Sequence, residues 1–178
     1  MARFISSDVH FDHKMIAQWR GFSSIEEMNE LIISNWNSKI TNKDDVYILG
    51  DFTLNAQLKK AEEFIDRLNY AQLYFIMGNH DNDKMKKSNK FVWVKDYHEM
   101  KHNNVLIIMC HYPLATWRNV HYGSVNLHGH CHGSYPSSNR QLDIGIDTNN
   151  LFPYSFDEAF EKMKSLPEFI IPDRIKRD

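Results

Sequence analysis

Residues 73–81 read Leu-Tyr-Phe-Ile-Met-Gly-Asn-His-Asp, a short apolar run followed by a glycine and three polar residues. The apolar part predicts a buried strand, and the glycine predicts a tight turn directly after it. Comparable polar groups follow four other strand-like runs, and these are Asp8-Val9-His10, Gly50-Asp51, His111 and Gly129-His130-Cys131-His132. Because ligand groups collect beyond the carboxyl ends of the strands in an α/β sheet, we expect all five groups to meet in one cleft.

The rest of the chain predicts an α/β fold, because short apolar runs alternate with helical patterns in its first half. The spacing predicts an amphipathic helix over 25–40, and Asn55 is a candidate cap for a second helix. Strand-like runs dominate the second half, where Ser155 and Glu158 form a capping box before one terminal helix. No repeat or linker divides the sequence, so we expect one domain over 1–178.

Composition excludes several classes of protein. A net charge of -2 excludes a globally basic nucleic-acid-binding protein, although the lysines of 84–95 could form a local patch. The longest purely apolar run, 105–110, is far shorter than the roughly 18 residues of a membrane span. Two cysteines form no disulfide framework and indicate a reducing compartment, so we expect a cytoplasmic location. Ten histidines are many for 178 residues, and histidine is the commonest metal ligand in proteins.

The ligand chemistry of the five groups fits two divalent cations. Carboxylate, imidazole and amide oxygen together suit Mn, Fe or Zn better than Ca or Mg, and Mn is favoured. Asp8 with His10, and His130 with His132, stand two residues apart, which points each pair to one face of an extended chain. Asp51 lies between the two ends of the series and is the candidate carboxylate that bridges both cations.

The order of these groups resembles the calcineurin-like metallophosphoesterase superfamily. The matching motifs are D-x-H at 8–10, G-D at 50–51, G-N-H-D at 78–81, His111, and G-H-x-H at 129–132. The resemblance implies a four-layer α/β/β/α sandwich with two metal sites. The first site would be formed by Asp8, His10, Asp51 and His132, and the second by Asp51, Asn79, His111 and His130.

The resemblance also implies roles beside the metals. His80 would lie next to the substrate phosphate and either protonate the leaving oxygen or stabilise the developing charge. Asp81 would orient His80. The candidate substrate contacts are His13, Asn79 and Arg118. The residues of 7–13 are most similar to those of small stand-alone bacterial or phage phosphoesterases.

The sequence departs from the superfamily pattern at one place. Many members read G-D-x-x-D, and protein phosphatases extend this motif to G-D-x-x-D-R-G, whereas residues 50–55 here read Gly-Asp-Phe-Thr-Leu-Asn. The second aspartate of that motif is not a metal ligand in the family, so the implied ligand set is intact. A protein Ser/Thr phosphatase activity, by contrast, is not expected.

Several assignments have a structural alternative. His13 could cap a helix, and Arg118 could lie in a surface loop. Asp147 could accept a hydrogen bond from a ligand histidine or belong to a turn only. Cys131, between two candidate ligands, is expected to point away from the site and serve as a small packing residue.

We therefore expect a dinuclear-metal-dependent phosphoesterase that cleaves a phosphodiester or phosphomonoester by in-line attack of an activated water. A chain of this length leaves no room for a cap domain, so we expect an open active site that tolerates varied substrates. A small phosphodiester or nucleotide-like phosphoester is the favoured substrate. A metal-dependent nuclease acting on DNA or RNA is the alternative, although such enzymes usually carry a basic track. A non-catalytic scaffold is the third hypothesis; scaffolds of this fold tend to lose ligands or the acid histidine, and this chain keeps both. The sequence does not indicate an oligomeric state.

Overall fold

Nine strands form two sheets in residues 1–54 and 58–170, the part of the chain described by the structure, which is a computed structural model. The first sheet contains β1 (Arg3–Ser6), β2 (Asp45–Leu49), β3 (Gln72–Ile76), β4 (Trp93–Lys95) and β9 (Tyr154–Ser155). Its order is β4-β3-β2-β1-β9, and all neighbours are parallel except β1 and β9. The second sheet contains β5 (Tyr97–His102), β6 (Val105–Cys110), β7 (Val125–His128) and β8 (Gln141–Asp143), in that order.

Four α-helices accompany the sheets in the described residues, namely α1 (Lys14–Trp19), α2 (Ile25–Lys39), α3 (Leu58–Ile65) and α4 (Phe156–Lys164). The predicted helix over 25–40 is confirmed, and the Ser24 hydroxyl caps it by accepting the Glu27 N–H. The predicted capping box of α4 is also present, with reciprocal hydrogen bonds between Ser155 and Glu158. The proposed cap Asn55 lies outside the described residues.

The first sheet is buried on both faces, which explains why its strands read as continuous apolar runs. Successive residues of β2 alternate between two clusters of apolar side chains. Val46 and Ile48 pack against α2 and α3, in a cluster with Trp36. Tyr47 and Leu49 instead face the second sheet, in a cluster that includes residues of β6, β7 and α4.

The other face of the second sheet is covered by an irregular segment. Trp117 and Val120 pack there against Ile108 of β6, and the 3₁₀-helix Val120–Tyr122 lies in this layer. Helix α4 contacts β1 and β9 of the first sheet and β8 of the second. The predicted α/β fold with two sheets flanked by helices is thereby confirmed. On the outer face of the second sheet, a 3₁₀ turn and a loop take the place of the helix layer that the predicted α/β/β/α sandwich contains.

No helix among the described residues is long and apolar enough to cross a membrane. Cys110 and Cys131 are both free thiols. The cytoplasmic location stays a prediction.

Candidate metal centre

The five polar groups identified in the sequence follow β1, β2, β3, β6 and β7 and lie at one edge of the two sheets. Backbone hydrogen bonds continue past the strand ends and hold the loops side by side. The Asp8 N–H donates to the Gly50 carbonyl at 3.1 Å, and the Gly129 N–H donates to the His111 carbonyl at 2.9 Å. The sheet edge therefore brings together residues that are up to 124 positions apart, from Asp8 to His132.

Asp8, His10 and His132 form the first candidate group, with one ligand atom from each within 4.8 Å of the others. The Asp8 Oδ1 lies 3.8 Å from His132 Nε2 and 4.0 Å from His10 Nε2. Both ring nitrogens of His10 are buried without a hydrogen-bond partner, in a side chain that is 1% exposed. A buried polar group without a partner is costly, so this ring fits a bound cation.

Asp51, His111 and His130 form the second group at the same spacing. The His111 Nδ1–H donates to the Leu49 carbonyl at 2.7 Å, so the neutral imidazole presents its Nε2 lone pair to the site. That Nε2 lies 3.5 Å from Asp51 Oδ2 and 3.0 Å from Asn79 Oδ1. Three atoms with lone pairs thus face one another. A bound cation requires such a set of electron-pair donors.

Asp51 joins the two groups. Its Oδ2 lies 3.7 Å from His10 Nε2 in the first group and 3.5 Å from His111 Nε2 in the second. Burial raises the pKa of this carboxyl, but hydrogen bonding and charge interaction with His111 outweigh burial and lower it to about 2. Asp51 is therefore a carboxylate at neutral pH, in position to contact two cations.

The pKa values of other candidate ligands are shifted either by burial or by nearby carboxylates. Burial lowers the pKa of His10 to about 3 and raises that of Asp8 to about 6. Burial also opposes a charge on His111 and His132, yet nearby carboxylates outweigh it and raise both pKa values. His10 is thus ready to bind a cation at any neutral pH, whereas His111 and His132 bind protons more strongly.

Five candidate ligands have left-handed backbone, with φ of 55° at Asp8, 55° at His10, 53° at Asp51, 70° at His130 and 48° at His132. The prediction that the i, i+2 pairs lie on extended chain is therefore wrong. The chain turns at each ligand, and the turns bring the paired side chains together. Such backbone costs an L-residue about 1–2 kcal/mol, and Asp and His adopt it more readily than most residues do.

Two glycines allow the ligand loops to approach one another. A Cβ at Gly78 would lie 2.2 Å from Asp51 Oδ1, and a Cβ at Gly129 would lie 2.3 Å from Asp8 Oδ2. Neither distance is possible for a real carbon and oxygen in contact. The loops therefore approach each other this closely because neither residue carries a side chain.

An ion pair behind the site orients His132. The His132 Nδ1–H donates to Asp147 Oδ2 at 2.7 Å, which directs Nε2 toward Asp8. Arg20 holds the same carboxylate through two hydrogen bonds of 2.7 and 2.8 Å, and it donates to the backbone carbonyls of Asp8 and Val9. Its side chain is 3% exposed. The sequence indicates Asp147 as a candidate partner of a ligand histidine. It gives no signal for Arg20, whose partner is 127 positions away.

His80 lies at the open side of the centre. Its side chain is 39% exposed, and its Nε2 is 4.0 Å from Asp51 Oδ2. The predicted contact with Asp81 is not formed. The Asp81 carboxylate instead accepts hydrogen bonds from the backbone N–H groups of Asp51, Phe52 and Gly78 at 2.7 to 3.0 Å. These hydrogen bonds fix the backbone of the ligand loops and do not involve the His80 ring.

The other candidate residues have mixed placements. His13 caps α1, where its Nδ1 accepts the Ile16 N–H, and its ring also lies 5.1 Å from that of His10. Arg118 is 66% exposed and pairs with Glu99 on β5, and none of its described hydrogen bonds reaches a candidate ligand. Cys131 is half-buried and is among the residues that line a cavity beside His80 and His132, so its role as a packing residue stays a prediction.

Comparison with known proteins identifies the family. A family model of calcineurin-like phosphoesterases matches residues 4–165, which include every candidate ligand. The chain belongs to this family. It is accordingly a hydrolase of phosphoester bonds, as its sequence motifs predict, and its substrate is a phosphoester.

Relatives occur in an archaeon and in a phage. An uncharacterised protein of Methanocaldococcus jannaschii is 33% identical over 164 residues, which cover 86% of each chain. The Gene 66 protein of Mycobacterium phage L5 is 26% identical over 202 residues, covering 93% of this chain and 95% of its own. A crystal structure of a protein of unknown function from Aquifex aeolicus has the same fold, with a TM-score of 0.69 at 20% identity, over 90% of this chain and 98% of that one.

Proposed function

We propose that this chain is a dinuclear phosphoesterase that acts on a small, nucleotide-like phosphodiester or phosphomonoester. The observation that carries the proposal is the position of Asp51. One oxygen of its carboxylate, Oδ2, faces histidine nitrogens of both candidate groups. The first cation would be held by Asp8, His10, Asp51 and His132, and the second by Asp51, Asn79, His111 and His130.

The donor set supports transition-metal cations. Carboxylate oxygens, imidazole nitrogens and one amide oxygen suit Mn, Fe or Zn, and Mn²⁺ is the first cation to test. When bound, two such cations supply an activated water and neutralise charge on the phosphoryl oxygens. The chain contributes by fixing the ligands, because its hydrogen bonds leave Nε2 of both His111 and His132 free to bind.

His80 is the group that we assign to proton transfer. Asp51 Oδ1 accepts a hydrogen bond from the backbone N–H of His80 at 2.9 Å. This bond holds the loop that carries His80 next to the central carboxylate. The exposed ring then reaches the side of the centre from which a substrate enters. A histidine placed there donates a proton to the leaving oxygen of the ester.

The charge distribution favours a small substrate over a nucleic acid. Two lysines of the 84–95 run are ion-paired, Lys86 with Asp83 and Lys90 with Asp66. Paired lysines provide less positive potential for a phosphate backbone than the sequence alone suggests. Nuclease activity is therefore an outcome of the test, not the favoured function.

The test is an activity screen of the Mn²⁺-loaded protein on p-nitrophenyl phosphate, bis-p-nitrophenyl phosphate, cyclic nucleotides and short oligonucleotides. We expect Asp51→Asn to lose both bound metal and activity. His80→Gln should keep its metal and lose about 10²- to 10⁴-fold in kcat. Asp157→Asn is the matched control, because that carboxylate pairs with His102 at an exposed site.

One result would overturn the proposal, and a second would remove one part of it. Wild-type protein that carries two cations and cleaves none of the esters would exclude catalysis of this class. Full activity of His80→Gln would remove the acid role from His80 and leave the metal assignment standing.

A further inference from the structure

Helix α1 presents two large apolar side chains to solvent next to the metal centre. Met15 is 74% exposed and Trp19 is 61% exposed. They are four residues apart on a helix, so they lie on the same face. The Trp19 ring packs edge-on against the candidate ligand His132, with the ring centroids 5.5 Å apart.

A cavity of about 540 Å³ lies between this face and the metal centre. Its lining includes Met15, Ile16 and Trp19 from α1, and also His13, His80 and His132. No Lys, Arg, Asp or Glu lines it among the described residues. Its volume and its largely apolar wall are typical of sites that bind an uncharged organic group.

The helix that forms one wall is fixed at both ends. His13 caps its first turn, and Arg20, the residue after Trp19, is tied to Asp147 and to the backbone carbonyl of Asp8. The position of Trp19 is therefore set by the same buried ion pair that orients the candidate ligand His132. A side chain on a backbone anchored in this way can stack on a ligand without the cost of ordering the helix.

We propose that this cavity binds an uncharged aromatic group of the phosphoester, carried on the leaving oxygen, and that Trp19 and Met15 are specificity residues that contact it. The inference rests on the proposed function, because the group is placed relative to the acid His80. His80 lines both the cavity and the metal centre, so a leaving oxygen that receives its proton has the cavity directly beyond it. An indole ring and a methionine sulfur are both favourable contacts for a planar π system.

A nucleobase and a simple aryl group share this chemistry. The test compares binding of adenosine 5′-monophosphate, ribose 5-phosphate and phenyl phosphate to Mn²⁺-loaded protein by calorimetry. The first two probes share the sugar phosphate and differ only in the base. Phenyl phosphate separates a preference for a nucleobase from a general preference for an aromatic ring.

We expect wild-type protein to bind adenosine 5′-monophosphate at least tenfold more tightly than ribose 5-phosphate, since stacking on one aromatic side chain supplies a factor of that order. Trp19→Ala should bring the two affinities together, and Trp19→Phe should keep most of the difference. Tyr122→Ala is the matched control, because Tyr122 is an 83% exposed aromatic residue that does not line the cavity. Affinity for both sugar phosphates should be unchanged in Tyr122→Ala.

The inference is overturned if wild-type protein binds both sugar phosphates equally, or if Trp19→Ala keeps the full preference. Failure of the proposed function gives a different result. In that case no ester is hydrolysed and Asp51→Asn leaves ribose 5-phosphate affinity unchanged, whatever Trp19→Ala does.

Discussion

Gly129→Ala would show whether the glycine after β7 sets the position of the Asp8 carboxylate. The new Cβ would lie 1.9 Å from Ser7 Oγ and 2.3 Å from Asp8 Oδ2, whereas real Cβ contacts essentially never fall below 3.0 Å. The Asp8 carboxylate would therefore have to retreat by about 0.7 Å and the Ser7 hydroxyl by about 1.1 Å. The perturbation reaches a candidate ligand without altering any ligand side chain.

Buried hydrogen bonds oppose that movement. The Asp8 carboxylate accepts the His130 N–H at 2.9 and 3.0 Å, and the Ser7 hydroxyl donates to the Leu49 carbonyl at 2.6 Å. Overpacking of a buried site costs about 1–3 kcal/mol, so the free energy of unfolding should fall by about that amount. A misplacement approaching 1 Å lowers the catalytic rate by about 10²-fold.

Gly145→Ala is the matched control. Its Cβ would lie 3.1 Å from the same Asp8 Oδ2, so a shift of a few tenths of an ångström relieves the contact. The measurements are urea unfolding of the metal-free proteins, metal content by mass spectrometry, and initial rates on the best ester of the screen. Equal stability, metal content and rate of Gly129→Ala and Gly145→Ala would show that Gly129 does not set the position of the Asp8 carboxylate.

Three further predictions concern the charges around the centre. Arg20→Met removes the ion pair from the buried Asp147 carboxylate, which keeps its hydrogen bond from His132, and should lower the free energy of unfolding by about 3 kcal/mol in urea titrations; a loss below about 1 kcal/mol would contradict this. Interactions with His132 and Arg20 outweigh burial and lower the pKa of Asp147 to about 2. Metal-free protein should therefore gain about 2 kcal/mol of stability from this carboxylate above about pH 4 and lose it as the pH falls toward about 2. Asp147→Asn should remove this pH dependence of the unfolding free energy. The pKa values of His111 and His132 are raised, so protons should displace metal as the pH falls, starting above about 6.5; metal content that stayed constant from about pH 8 to about pH 5 would be inconsistent with these ligands.

The ligand series could be read from the sequence because each group is a local signal. A strand ends, a glycine or a turn follows, and the polar residues come directly after it, as at Gly78 and Asn79. Strand β2 and helix α2 were equally accessible, since a continuous apolar run and a 3.6-residue period each indicate one structure.

Other features depend on information that no short window contains. Strand β5 reads Tyr-His-Glu-Met-Lys-His and has no apolar alternation, so its pairing with β6 was not predicted. The signal for it is the pair Asn103 and Asn104, where both φ angles are positive, as a two-residue hairpin with a type I′ turn requires. Helix α1 has six residues, too few for a period to show.

The geometry of the paired ligands was mispredicted for a related reason. The rule that alternate side chains lie on one face holds for extended chain, whereas His130 and His132 are left-handed. Arg20 could not be found by any local rule, because its ion pair joins the end of α1 to a residue after β8.

The turned backbone at the candidate ligands restricts how this centre could be re-engineered. Asp, Asn and His are enriched several-fold in left-handed conformation, and they are also oxygen and nitrogen donors. A designer who exchanged Asp8 or His10 for cysteine, to favour a softer cation, would place a residue without that enrichment at φ of 55°. An exchange of ligand atoms at these positions would therefore require new loops along with new side chains.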